Sequence, residues 1–311
     1  MNNKTLGFAA VAALAIGGGA FYWWRTHHEP ASLPITANTS SADLASPVGE
    51  NNENSPTQAA HVGIATSGSH VLTPRQRFEQ SHDLFALVQS SRAAADGGDA
   101  TAKTIIADAM YECISATLPT NSRHVGVFLA EKRQPELKSV IDAKLAVDSA
   151  RCGRFTKDDI GSLGAVLAQY ADAAKLGSAK ALAMQLTYGN LATIPDQDLA
   201  SDVQKIITSG DPDAIGALSN LMGLRAEGRA STFGSYSGSV TDQYAWQLAA
   251  CRMGMDCGAN SALLRGYCLS GGMCGAISID QVISNFLTSP AQYRAAVAES
   301  QQIVSFLSGH H

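Results

Sequence analysis

Aromatic residues and clusters of basic residues are both scarce in this sequence. Phe, Trp and Tyr make up 6% of the 311 residues, and the formal net charge is −5. Nucleic-acid binding needs a clustered basic surface, and the sequence shows none, so no nucleic-acid partner is expected. Few aromatic residues and abundant alanine are typical of closely packed helices rather than of a β-sandwich. The composition therefore predicts an all-α fold.

Motifs for catalysis, metal binding and cofactor binding are also missing. Cys251 to Cys274 hold two C-x5-C pairs with no histidine between them, which argues against a zinc site or a thioredoxin-like centre. In the run FGSYSGS, a nucleophile elbow would need serine where Tyr236 stands. The glycine-rich tracts lack the Lys-Ser/Thr pair of a phosphate-binding loop. We therefore predict no metal, no cofactor and no catalytic residue.

One pair of residues leaves an enzymatic interpretation open. Glu299 and Ser300 match the Glu-Ser pair that a peptidoglycan lytic transglycosylase carries at a helix end. The downstream glycine-rich signature of that family is missing, and Glu299 fits a solvated helix position equally well. A general acid would also need a carboxyl group with a raised pKa. An envelope enzyme or glycan-binding protein acting on peptidoglycan is thus the alternative to a non-enzymatic function.

A long apolar run lies near the N-terminus. Residues 6–24, LGFAAVAALAIGGGAFYWW, carry no charge and nearly reach the length that spans a bilayer core of roughly 30 Å. The aromatic residues that end this run, followed by Arg25, resemble an interfacial belt with its anchor. Gly18 and Ala20 also allow cleavage as a signal peptide. Residues 1–25 are therefore predicted to be a membrane anchor or signal segment, with the uncleaved transmembrane helix favoured.

The next segment has a different composition. Residues 26–72 are rich in Ser, Thr, Asn, Ala and Pro and show neither helical nor strand periodicity. Such a segment buries too little apolar surface to offset the entropy of ordering. We predict a disordered tether that holds the folded domain, residues 73–308, away from the membrane.

Helical hairpins are predicted along the folded domain. Glycine accepts the left-handed conformation that ends a helix, and a small residue one turn into the next helix lets the two backbones approach closely. This spacing occurs four times, as Gly98/Ala102, Gly177/Ala181, Gly210/Ala214 and Gly258/Ala262. Residues suited to cap the second helix of each hairpin are Asp99, Ser178, Asp211 and Asn260.

These hairpins resemble Sel-like and tetratricopeptide-like repeats. Such units combine an Ala-rich first helix, a G-[DS]-x-x-A turn and a second helix that ends in Tyr-Gly, and AAKLGSAKALAMQLTYGN is a close copy. The spacing is uneven, with 79, 33 and 48 residues between successive turn glycines. The resemblance implies antiparallel helical hairpins in a degenerate α-α superhelix. An irregular all-α domain with similar turns is the alternative.

The cysteines are predicted to form three disulfides. Their even number in an exported chain favours this pairing over free thiols. If YAWQLAACRMG and SALLRGYCLSG form a hairpin, a crossed pairing would bring together residues at opposite ends of it, and their Cα atoms must lie within about 7 Å. Each helix end is therefore expected to bond to its own following loop. The predicted pairs are Cys251–Cys257, Cys268–Cys274 and Cys113–Cys152.

A long polar segment, Gly223 to Asp242, separates two helical units. Loops of this length in a compact domain are usually functional or disordered. Because aromatic residues and arginine dominate binding hot spots, the segment is a candidate partner-contact patch, with a mobile insertion as the alternative. On this hypothesis, deleting Ala230 to Ser239 leaves folding intact. The proposed contact residues are Arg225, Arg229, Phe233 and Tyr236.

These features combine into one functional expectation. The apolar run and the cysteines predict a bacterial, single-pass inner-membrane protein with its C-terminal domain in the periplasm. The resemblance to helical repeats implies a protein–protein interaction or scaffold module whose partner is another cell-envelope protein. This inference comes from architecture and not from a site.

Overall fold

The computed structural model describes residues 72–117 and 125–309. Within these ranges the chain forms helices and turns, without strands, and one isolated antiparallel bridge joins Gly258 and Ser278. The prediction of an all-α domain is therefore confirmed for this part of the chain. The predicted transmembrane helix at residues 6–24 lies outside the described residues. None of the helices in the described ranges is long and apolar enough to cross a membrane.

Fifteen α-helices are described in these two ranges. In chain order they are α1 (Pro74–Gln80), α2 (Leu84–Asp96), α3 (Ala100–Cys113), α4 (Val125–Arg133), α5 (Lys138–Cys152), α6 (Lys157–Ile160), α7 (Leu163–Lys175), α8 (Ala179–Tyr188), α9 (Asp196–Thr208), α10 (Pro212–Met222), α11 (Ala230–Phe233), α12 (Val240–Arg252), α13 (Ala262–Gly271), α14 (Ile279–Val282) and α15 (Pro290–Ser308). Short 3-10 segments lie at Ile114–Thr117, Pro135–Leu137, Leu191–Thr193 and Leu224–Ala226, and a π-helical turn lies at Ile283–Leu287.

Side-chain caps define where the helices of the hairpins begin. Asp99, Ser178 and Asp211 each accept a hydrogen bond from a backbone N–H in the first turn of α3, α8 and α10, as predicted. The predicted cap at Asn260 is wrong. Ser261, one residue later, caps α13 by accepting from the N–H of Leu264.

The turn glycines follow the same pattern. Gly98, Gly177 and Gly210 have φ values of 90°, 99° and 63°, so three of the four predicted left-handed turns are confirmed. The fourth is wrong, because the left-handed glycine after α12 is Gly254, with φ of 111°, and not Gly258. A glycine directly after the last helical turn satisfies the free carbonyl groups there, and Gly258 lies too far along the loop for that role.

The helices stack in a continuous row. Helices α2 and α3 form one hairpin, α7 and α8 form the next, and α3 packs against α7. The row continues through α8, α10, α12 and α15. Helix α13 departs from prediction, since it packs against α4 and α5 while α12 packs against α10 and α15. The two segments predicted as a hairpin, YAWQLAACRMG and SALLRGYCLSG, therefore do not pack along each other as a helix pair, although Gln247 and Tyr267 are hydrogen-bonded at 3.3 Å.

Two large apolar clusters fill the described domain. One surrounds Trp246 and includes side chains from α8 to α15, and the other surrounds Tyr170 and includes side chains from α1 to α8. Ala181 and Ala214 are fully buried where neighbouring helices meet, as expected of small residues one turn into a helix.

The three disulfides join the predicted pairs. Two of them, Cys251–Cys257 and Cys268–Cys274, connect the end of a helix to the loop that follows it. The third, Cys113–Cys152, joins the last residues of α3 and α5, with the two Cα atoms 5.2 Å apart. This bond also brings together the residues that precede each cysteine, Glu112 and Arg151.

Candidate interaction site

Helix α1 is a seven-residue helix held by the rest of the domain. A helix of this length is not stable alone in water, so contacts with its neighbours must maintain it. It packs against α3 and is contacted by Arg151 of α5, Lys180 of α8 and Asp213 of α10. We call these three side chains, with the apolar surface around Phe78, the α1 site.

The first turn of α1 is bound through charge. Arg75 Nε lies 3.2 Å from Asp213 Oδ2. Burial raises the pKa of Asp213, although the neighbouring cations Lys180 and Arg75 lower it. The fit at this end is incomplete, because Arg75 Nη2 is buried without a hydrogen-bond partner.

The centre of α1 is bound through an aromatic ring. Phe78 is the one buried residue of the helix, and it belongs to an apolar cluster with Leu84, Ile105 and the Cys113–Cys152 disulfide. Two cations face the ring, with Arg151 Cζ 5.4 Å and Lys180 Nζ 5.9 Å from its centroid. Cations at this distance are attracted to the electron-rich face of an aromatic ring. The site therefore favours an aromatic residue over an aliphatic one.

The last turn of α1 is bound through its backbone. Nη1 of Arg151 donates to the carbonyl oxygens of Phe78 and Glu79, each at 3.2 Å, and to that of Ser81 at 2.5 Å. The final carbonyl groups of a helix have no partner within it and carry partial negative charge. A guanidinium in this position therefore recognises a helix end and not a particular side chain.

Arg151 is itself fixed by a buried ion pair. Its Nε and Nη2 donate to the two carboxylate oxygens of Glu112 at 2.7 and 2.8 Å, and Arg265 of α13 contacts the same carboxylate. Burial would raise the pKa of Glu112, but the hydrogen bonds and charges of Arg151 and Arg265 more than offset burial and lower it. Glu112 therefore stays ionised and orients both guanidinium groups.

Lys180 is fixed in a similar way. Its ammonium group lies 2.6 Å from Asp108 Oδ2, and the hydroxyl of Tyr170 donates to the other oxygen of that carboxylate at 2.7 Å. Burial would lower the pKa of Lys180, but Asp108 and Asp213 outweigh burial and raise it. The cation beside Phe78 is thus held in place by side chains of α3, α7 and α10.

Glu79 is poorly matched to its surroundings. Burial raises the pKa of its carboxyl group, and the carboxylate of Asp256, in the loop after α12, raises it further. The nearby cations Lys180 and Arg151 offset this only in part. A carboxylate at this position of α1 is therefore less favourable than an uncharged side chain.

The four residues predicted to contact a partner are engaged within the chain. Phe233 is 6% exposed and belongs to the large apolar cluster. Arg229 binds Asp196 and lies over the Phe233 ring, and Arg225 donates to the carbonyl of Gly189 at 2.6 Å. The carbonyl of Tyr236 accepts from the indole N–H of Trp246 at 2.7 Å. The segment Gly223 to Asp242 thus folds onto its neighbours and leaves no exposed aromatic patch at Phe233.

Glu299, the residue behind the enzymatic alternative, pairs with a second carboxyl group. It lies on α15 beside the carboxyl group of Asp242, the third residue of α12, and its Oε1 is buried without a hydrogen-bond partner. Burial, together with the neighbouring carboxyl group of Asp242, raises the pKa of Glu299 to about 8. The hydroxyl of Ser300 is buried and donates to the carbonyl of Val297 at 2.7 Å. The raised pKa therefore reflects burial of Glu299 next to a second acid, where α15 meets α12.

Two surface cavities lie elsewhere. One, of about 340 Å³, is formed by α7, α8 and α9, and the other, of about 320 Å³, by α2, α3 and α7 with residues near Phe155. Two lysines beside the first cavity are paired with Asp172 and Asp202. Neither cavity includes Glu299. In the described ranges, no group of three His, Cys, Asp or Glu side chains is placed to hold a metal ion.

The α1 site was not predicted from the sequence. Its parts come from helices far apart in the chain, and Glu112 and Arg265 are 153 residues apart. One local signal was present, since Glu112 and Arg151 each precede a cysteine of a predicted disulfide. Comparison of the chain with family models, with curated proteins and with solved structures found no significant match.

Proposed function

We propose that this protein is a membrane-tethered, exported helical-repeat protein that acts as a protein–protein interaction or scaffold module for another cell-envelope protein. The observation that supports this proposal most directly is the α1 site. It binds a short helix through an ion pair at the first turn, cations over an aromatic ring at the centre, and hydrogen bonds to the carbonyl groups at the last turn. Placing a short helix in a groove is a recurring mode of protein recognition.

Export and tethering are supported by two further features. Three disulfides and no free cysteine in the described ranges are typical of proteins that fold in an oxidising compartment. The uncharged run at residues 6–24, followed by Arg25, is typical of a single membrane-spanning anchor.

Glu299 favours a second candidate, an envelope enzyme that acts on peptidoglycan. A pKa of about 8 would keep this carboxyl group protonated at neutral pH, as a general acid requires. Its position against Asp242 lies outside both described cavities, so neither of them brings a substrate to this carboxyl group. The interaction function is therefore the better supported proposal.

Cross-linking in intact cells tests the interaction function. A photoreactive amino acid would replace His82, an exposed residue beside the α1 site, in the tagged full-length chain. The matched control carries it at Gln302, an exposed position on α15. We expect one stoichiometric envelope protein to cross-link at His82 and not at Gln302. Recovery of cell-wall fragments without a protein partner would instead support the enzyme or glycan-binding function.

A further inference from the structure

We infer that α1 is a built-in competitor in a site that recognises a helix of another protein, one with a basic residue three positions before an aromatic residue. This inference rests on the proposed interaction function and names the class of partner and the means of regulation. The site is closed while α1 occupies it and open when α1 leaves.

The contacts of α1 define what the partner helix must offer. Arg75 and Phe78 are three residues apart, so they lie on the same face of the helix and meet Asp213 and the two cations together. Arg151 then binds the carbonyl groups that follow Phe78. A partner helix therefore needs a basic residue, an aromatic residue three positions later, and an end within the next few residues.

Two imperfect contacts make α1 a weak occupant of its own site. The Nη2 amino group of Arg75 is buried without a hydrogen-bond partner, which costs free energy. Glu79 places a carboxyl group where burial and Asp256 disfavour its charge. A partner with an uncharged polar residue directly after its aromatic residue avoids the second cost. Such a helix binds the site more tightly than the α1 sequence itself.

The connection to α2 sets how strongly α1 competes. Only Ser81, His82 and Asp83 separate the two helices, so α1 has a high effective concentration at the site. Helix α1 is short and buries only one side chain, so its own affinity for the site is low. The low affinity partly offsets the high effective concentration. A second copy of this chain would bring an α1 with the same two imperfect contacts. These contacts therefore favour a partner of different sequence over exchange of α1 between copies.

Peptide binding to the full chain tests the inference. The probe is a fluorescent peptide of residues 72–83, LTPRQRFEQSHD, with Glu79→Gln, Phe78→Ala and Arg77→Ala versions. Arg77 is exposed and serves as the matched control. We expect the Glu79→Gln peptide to bind at least roughly threefold more tightly than the native peptide and the Arg77→Ala peptide to bind like the native one. The Phe78→Ala peptide should lose at least about tenfold in affinity.

Variants of the chain show whether α1 is the competitor. Arg75→Ala weakens α1 without removing a buried apolar side chain, so it should raise the affinity of the peptides by about tenfold or more. Saturating peptide should also increase hydrogen exchange at the backbone amides of residues 76–80 in the chain. Phe78→Ala in the chain provides a second variant with the same expectation.

Three results would overturn the inference. The first is the absence of peptide binding to both chain variants while each still unfolds cooperatively. The second is that the peptide binds but hydrogen exchange at the amides of α1 does not increase. The third is that the Arg75→Ala chain forms a dimer and no longer binds the peptide. If the peptides fail but an envelope protein still cross-links at His82, the inference is wrong and the proposed function stands. If the peptides bind and no protein cross-links in cells, the proposed function is wrong.

Discussion

The carboxylate of Glu112 and the guanidinium of Arg151 form a two-point hydrogen-bonded pair beside the disulfide between their neighbours, Cys113 and Cys152. The same guanidinium binds the end of α1 through its remaining nitrogen. The disulfide, the ion pair and the contact with the end of α1 are therefore adjacent in the structure. Changes at this point should affect both the stability of the domain and the position of α1.

Replacing Arg151 should be strongly destabilising. Arg151→Ala leaves Glu112 with Arg265 as its remaining cation and removes the donor to three carbonyl groups. Loss of one partner from a buried pair costs about 3–5 kcal/mol, and a loss of that size is expected in the free energy of unfolding measured with urea. Lys138→Ala, which removes an exposed pair with Asp142, is the control and should have little effect. Equal effects of the two substitutions would contradict this role for Arg151.

The Cys113–Cys152 disulfide should stabilise the domain more than Cys268–Cys274. The first pair is separated by 39 residues and the second by 6, and the entropy removed from the unfolded chain grows with loop length. Replacing both cysteines by alanine should cost about 4 kcal/mol for the first pair and about 2 kcal/mol for the second. All four cysteines are buried, so the loss of packing is matched between the two variants. Urea unfolding without reductant measures the difference, and a larger cost for the second pair would refute this account.

Glu299 should make the stability of the domain depend on pH. Its pKa rises from 4.5 to about 8 on folding, so the folded state binds a proton that the unfolded state releases. The contribution of Glu299 to stability is therefore fully present below about pH 4.5 and is lost as the pH rises towards 8. Glu299→Gln keeps the shape without the titration, so its melting temperature should fall less between pH 5 and pH 9.

The control for this prediction is Glu136→Gln, a substitution at an exposed position before α5. It should show the same pH profile as the parent chain. Parallel profiles for all three proteins would mean that Glu299 does not bind a proton on folding. Thermal melts at several pH values between 5 and 9 are sufficient for the comparison.

Phe233 should be needed for folding and not for partner contact alone. Phe233→Ala leaves a cavity in the large apolar cluster and should cost about 3–5 kcal/mol. Leu224→Ala, at a side chain that is 53% exposed in the same segment, should cost far less. Deletion of Ala230 to Ser239 also removes the carbonyl that accepts from Trp246 and the cap of α12. The domain should then unfold at lower urea concentration, contrary to the expectation from the sequence.

Local features of the fold were predictable because the sequence encodes them locally. The caps at Asp99, Ser178 and Asp211 and the left-handed glycines that precede them lie within a few residues of the helix ends they define. The two short disulfides followed from the same local geometry. The assignment of Gly258 was wrong because the loop after α12 is long, so the glycine nearest to the helix, Gly254, ends it instead.

Features that depend on distant contacts were not predictable. The packing of α13 against α4 and α5, instead of along α12, depends on segments that lie far earlier in the chain. The burial of Phe233 likewise depends on a cluster assembled from eight α-helices, α8 to α15. Nothing in the sequence near Arg75 and Phe78 indicates that an acidic residue and two basic residues from other helices surround them. Only the packed arrangement of α3, α5, α8 and α10 reveals these neighbours.

The short link between α1 and α2 also has a mechanical consequence. Tension applied to the chain ahead of Thr73 acts on α1 before it acts on any other described helix. Because α1 is anchored in sequence order by Arg75, Phe78 and the carbonyl groups beyond it, such a pull opens these contacts one after another from the N-terminal end. A pull from the N-terminal side would therefore load the α1 site before the other described helices.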